Sequence, residues 1–166
     1  MTVDQHAQNR EVREVAVVAS VLDVAAYILQ RQGAMSAMKL QKLCYYSKAW
    51  HLVWESDRLF PERFEAWANG PVAPVLYGYH RRQFNVDQSV VPGDPKRLTQ
   101  DEIDSIDTVL DAYGDKPAYE LSAMTHREKP WIEARGGLPE GERCQTPIDE
   151  ATMYLYYDGL AAAAES

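Results

Sequence analysis

The stretch MSAMKLQKLCYYSKAWHLVW, residues 35–54, constrains the fold more than any other part of the chain. Ser36 can cap a helix, because its hydroxyl accepts a hydrogen bond from a backbone N–H of the first turn. From there Leu40, Leu43, Cys44, Ser47, Trp50, His51 and Trp54 recur at helical spacing on one face. Such a face belongs in a core, so the spacing predicts a long helix to about Trp54 with other elements laid against it.

The flanks supply further helices with legible ends. Ser20 with Asp23 approximates a capping box, Leu22, Ala25, Ala26 and Leu29 form an apolar stripe, and Gly33 is a natural stop. This helix is expected to begin earlier, near Glu11. Thr99 with Glu102 is a second box, followed by Ile103, Ile106, Leu110 and Tyr113 and ended by Gly114. Residues 119–124 read as a short helix, Pro130 opens another turn, and Thr146, Pro147 and Asp149 introduce a last helix through Leu160.

Between these lies RLFPERFEAWANG, whose aromatic-rich pieces flank Pro61-Glu62 and read as a small hairpin or extended excursion ending at Asn69-Gly70. Pro71 then sits where a helix could start and run to about Phe84, with Pro74 in its first turn. Residues 85–98, rich in Pro and Gly, read as a long surface loop. The expected fold is mainly α, a single-domain helical bundle with a short β-hairpin between the second and third main helices. Residues 1–14 are expected to be an N-terminal extension and 15–166 the domain.

With 166 residues and 46% hydrophobic content, the chain can bury roughly two-thirds of its unfolded surface in one core. Cys44 and Cys144 stand far apart with no CxxC spacing, which suggests neither a disulfide framework nor a structural zinc site. The apolar run from Val15 to Leu29 is too short to span a bilayer and carries Asp23. Its lead, NREVRE, is of mixed charge rather than basic. The expectation is a soluble cytoplasmic protein with no membrane partner.

A net charge of -8 argues against binding nucleic acid by phosphate neutralisation. The charge is also uneven: residues 1–83 hold ten Lys/Arg against eight Asp/Glu, and residues 84–166 hold seven against seventeen. The acidic run from Thr99 to Gly114 reads as a solvated helix face, or as a surface for a basic partner.

A nucleophilic hydrolase needs Cys or Ser within reach of an oriented histidine. Cys44 shares its face with Leu40, Trp50 and Trp54, and a thiol in such surroundings is usually inert. Cys144 in GERCQT could approach His126, but nothing there resembles a nucleophile turn. The four histidines are scattered, without two ligands on one helix face, so no metal and no cofactor is expected. Gly70-Pro71 offers one glycine and a proline without an N–H, a poor phosphate cradle and a good chain reversal. His126, four residues before Pro130, is expected to bond loop backbone while Trp131 packs beneath it.

Three blocks, MKLQKLCYYSKAWHL, FEAWANGPVAPVLYGY and LSAMTHREKPW, follow one another in an order and at separations that resemble the Panacea domain. This is the family of SocA-type antitoxins and phage-associated GepA proteins. The resemblance covers roughly residues 20–160 and implies a helical domain that neutralises a cognate toxin protein by direct contact. A ClpXP-type protease is a further partner implied by an adaptor in the family. It makes Trp67, Gly70, Pro71, Thr125, His126, Pro130 and Trp131 structural motif residues. Lys39, Gln41, Lys42 and Tyr45 are the expected partner-binding residues, on an exposed flank of their helix.

Two other classes stay open at this point. A DNA-binding regulator could use the helix pair of residues 20–54, with Lys39, Lys42 and Lys48 toward phosphate. A hydrolase would be built on Cys144 and His126.

Overall fold

The computed structural model describes residues 18–165. Seven helices lie within them: α1 (Val21–Gln32), α2 (Ala37–Glu55), α3 (Pro74–His80), α4 (Gln100–Tyr113), α5 (Ala118–His126), α6 (Lys129–Arg135) and α7 (Glu150–Glu165). Four short strands, β1 (Met35–Ser36), β2 (Glu65–Trp67), β3 (Gly70–Val72) and β4 (Asn85–Val86), form two antiparallel pairs. The fold is mainly α, with the β2–β3 hairpin between α2 and α3. The expected extension, residues 1–14, lies outside the described residues.

The helix ends follow their local chemistry. At α1 the Ser20 side chain and the Asp23 carboxylate close a capping box. Ser20 itself is extended, so within the described residues the helix does not reach back toward Glu11. Thr99 and Glu102 close the second box at α4, and Ser36 caps α2 through the Lys39 N–H. Gly33 ends α1 at φ +82°, where a side chain would be strained.

α2 is the axis of the molecule and packs against α1, α4, α5, α7 and β3. The single apolar face expected of it is corrected in two ways. All ten residues from Leu40 to Ala49 are buried, including Gln41, Lys42 and Lys48, because neighbours close on every side of this segment. Trp54, expected inside, is 42% exposed and stacks on half-buried Trp50 near the helix end.

Other boundaries moved as well. The hairpin pairs Glu65 with Val72, Ala66 with Pro71 and Trp67 with Gly70, so its turn is Ala68-Asn69 and its second strand continues past Gly70. Pro71 is therefore strand, and α3 starts at Pro74, whose missing N–H costs nothing at a helix start. α3 stops at His80, well short of Phe84, because Arg82 takes φ +71° and the chain enters β4 against β1. α7 continues past Leu160 to Glu165.

The segment after β4, expected as a loop, is docked rather than loose. Asp23 accepts from the Asp94 N–H at 2.8 Å. A Cβ on neighbouring Gly93 would lie 1.9 Å from the Leu22 carbonyl oxygen. Backbone stands against backbone there, with no flexible side chain to yield. Gly93→Ala should therefore destabilise by about 1–3 kcal/mol through overpacking. Gly78→Ala, at an exposed helical position with nothing within 4 Å, should stabilise by up to about 1 kcal/mol. Thermal melts of the two variants check both signs.

Candidate functional site

The three sequence blocks meet around the hairpin. Lys42 on α2 donates from Nζ to the Pro71 carbonyl at 3.2 Å, and Gln41 brackets Ala73, two residues on. The Gln41 Oε1 accepts from the Ala73 N–H at 2.8 Å, and its Nε2 donates to the Ala73 carbonyl at 3.3 Å. The same amide meets His80 Nε2 at 2.9 Å. An amide nitrogen can only donate, so His80 accepts there and carries its proton on Nδ1.

Gly70 is the contact point of all three blocks. Its φ is +115°, and a Cβ would stand 2.5 Å from Lys42 Cε and 3.0 Å from Thr125 Oγ1. Both backbone angle and space therefore demand glycine. From the third block, Ser122 donates to the Asn69 carbonyl at 2.7 Å and Trp131 Nε1 to the Trp67 carbonyl at 2.8 Å. Arg135 donates to the carbonyls of Ala66, Pro139 and Glu142. Hairpin carbonyls that would otherwise be stranded in the interior thus find donors.

Beneath this clamp lies a buried carboxyl. Glu128, one residue before α6, accepts from Tyr46 at 2.7 Å and Tyr157 at 2.8 Å. The Tyr157 hydroxyl also meets that of Tyr45 at 3.2 Å. Burial raises the Glu128 pKa above the usual carboxylate range, and the two tyrosine bonds work against it. Burial likewise pushes Lys42 down to about 7. Perturbed groups of this kind can mark catalysis. Here neither Lys42 nor Glu128 lines any of three clefts of about 330–570 Å³.

The expected motif residues are placed as follows. Gly70, Pro71, Thr125, Pro130 and Trp131 are buried in the clamp, while Trp67 is half-buried against Tyr77. His126 closes α5 and stacks on Trp131 at 4.1 Å and 15°. Its Nδ1 is 3.9 Å from Glu140, and its Nε2 is enclosed without a hydrogen-bond partner. The ring stacks on Trp131, as expected, and meets the backbone of Ala68 in the hairpin turn.

The partner-binding expectation is corrected more sharply. Gln41, Lys42 and Tyr45 are at most 1% exposed, because the hairpin, α3 and α7 cover that flank. Of that group, Lys39 alone keeps exposed surface. Glu128, Arg135, Tyr46 and Tyr157 were missed by sequence reasoning. The signal was present in the glutamate before KPW and the paired tyrosines of CYYSK, but polar residues in helices read as solvated.

Cys44 is fully buried, and burial raises its pKa far above the usual thiol range. Cys144 is buried too, beside a cleft lined by Met38, Trp67 and Arg143 that His126 does not line. Lys42 and Lys48 are enclosed, Lys48 against Glu150 at 3.1 Å. This removes two of the three lysines expected to face phosphate. Among the described residues no helix is long and apolar enough to cross a membrane, and no group of three His, Cys, Asp or Glu is placed to hold a metal.

The Lys42 environment has a measurable consequence. The unfolded chain keeps this proton to about pH 10.4, whereas the fold releases it near 7. The unfolded state binds more protons across that window, so stability should rise with pH between about 7 and 9. Lys42→Met, which keeps the volume and removes the titration, should flatten the rise. Chemical denaturation at several pH values measures both slopes; equal slopes would mean that the lysine is hydrated.

The protein-family model described as Antitoxin SocA-like, Panacea domain, matches residues 40–132. No curated protein and no solved structure matches the chain. The matched span runs from the buried start of α2 through the hairpin to the Trp131 clamp and takes in more than half of the chain. By this match and the arrangement it covers, the chain belongs to the SocA-like antitoxin family, the Panacea domain proteins.

Proposed function

We propose that this protein neutralises a cognate toxin protein by stable surface contact, without altering the toxin's covalent structure. The observation that carries the reading is the family match over residues 40–132. It is supported by the way the matched blocks spend their reactive groups on each other. Lys42 bonds the hairpin, Gln41 bonds Ala73 and His80, and Glu128 accepts from two tyrosines; Lys42, Gln41, His80 and Glu128 are all buried. A scaffold of that kind offers its outer surface, and stable contact needs about 1,000 Å² or more of it.

The DNA-binding alternative loses support with the burial of Lys42 and Lys48, and the net charge of -8 opposes it further. The hydrolase alternative is weakened by the burial of Cys144 and by the stacking of His126 on Trp131. Delivery of the toxin to a ClpXP-type protease is a finer version of the antitoxin reading. Cells lacking that protease separate the two, since contact alone still protects them.

The test is co-expression with the product of the adjacent gene, followed by co-purification and intact-mass measurement of that product. Cys44→Ala and Cys144→Ala should still protect against growth arrest, and His126→Ala should weaken protection only as far as it lowers the melting temperature. Protection without a recoverable complex, with a toxin mass change lost in Cys144→Ala, would make the protein an enzyme instead.

A further inference from the structure

The burial of Gln41, Lys42 and Tyr45 leaves the partner surface to be found elsewhere. Two stretches of this acidic chain contain no Asp or Glu at all, residues 32–54 and 66–86. The fold brings them together, through the β1–β4 pairing and the Gln41 bracket on Ala73. Their buried basic groups are already engaged. Lys42 is enclosed, Lys48 faces Glu150, and His80 is held by Gln41. Arg81 and Arg82 are exposed, and among the described residues neither forms an ion pair.

Around these arginines the chain exposes apolar surface. Phe84 is 80% exposed, Tyr79 46% and Val75 44%. Arginine and large aromatics are the side chains that most often anchor protein interfaces. The backbone beneath them is fixed. Arg81 N–H donates to the Tyr77 carbonyl at 2.9 Å, Gln83 N–H to the His80 carbonyl at 2.8 Å, and Ala37 N–H to the Phe84 carbonyl at 2.8 Å. Arg82 sits at φ +71°, a conformation that glycine or asparagine would hold at lower cost. Such strain at an exposed, charged residue points to a use for the side chain.

We infer that the α3–β4 tip, residues 79–84, is the seat for an acidic surface of the partner protein. Tyr79 and Phe84 supply apolar contact, and Arg81 and Arg82 receive carboxylates. The inference rests on the antitoxin reading and names the surface that reading requires. A protein partner is favoured over nucleic acid because two arginines on a chain of net charge -8 would neutralise too few phosphates for useful affinity. A two-fold pairing of this tip with itself would set arginine against arginine.

The experiment measures binding of the adjacent gene's product to the full-length protein and four variants, with a melting curve for each. Arg81→Glu/Arg82→Glu and Phe84→Ser should each weaken binding about tenfold or more. Wild-type affinity should also fall with added salt more steeply than that of the double arginine variant. Arg82→Gly should weaken binding while keeping or raising the melting temperature, which separates the guanidinium's role from the backbone's. Leu155→Ser, on the exposed face of α7, should bind as wild type does.

A wild-type complex that every tip variant retains would overturn the tip and leave the antitoxin reading standing. No wild-type complex at all would contradict both. Duplex DNA binding abolished by the double arginine variant, or wild-type self-association abolished by it, would also overturn the assignment.

Discussion

Burial of the α2 segment from Leu40 to Ala49 is the constraint on which the rest depends. A helix enclosed on all sides satisfies its own backbone, but Gln41, Lys42, Tyr46, Ser47 and Lys48 bring polar atoms into an interior where an unpaired one is costly. Each finds a partner, and for four of the five it lies in a different part of the chain. Gln41 takes the start of α3, Lys42 the hairpin, Tyr46 the carboxyl before α6, and Lys48 the Glu62 carbonyl and the first turn of α7. Ser47 alone turns back, donating to the Leu43 carbonyl of its own helix. These bonds dictate where elements dock, because an apolar helix would accept many registers and this one accepts few.

The hairpin shows how that constraint reaches function. Two three-residue strands have little stability of their own. Their turn is fixed by Gly70 against Lys42, by Ser122 on Asn69 and by Trp131 on Trp67. The three blocks shared with the family are thus one structural unit seen in three pieces. The lysine, histidine and threonine of these blocks are engaged in contacts inside the fold. The residues that look chemical are occupied inside the fold, as the proposed neutralisation by surface contact requires.

Much of this was legible in the residues themselves. The capping pairs Ser20–Asp23 and Thr99–Glu102 and the stop at Gly33 are local devices, so local reading found them. The β1–β4 pairing joins segments of two residues each, too short to leave a periodic signal. Whether Pro71 or Pro74 opens α3 depends on the partner of the preceding strand, which no local rule contains. The partner-facing flank was misread for the same reason. Lys42 and Tyr45 look solvent-exposed on a helix considered by itself, and their burial is decided by the hairpin and by α7, far away in sequence.

Residue-resolved hydrogen exchange on the protein alone and in complex with the adjacent gene's product tests the central claim most directly. If the buried polar axis pre-forms the platform, amides of α2 from Leu40 to Ala49, with those of Ala66 and Ala73, exchange through global unfolding in both states. New protection on binding then falls on surface segments. Exchange of the hairpin and α2 amides through local opening in the free protein, with protection gained only in the complex, would contradict the account, because the clamp would then be made by the partner rather than by this sequence.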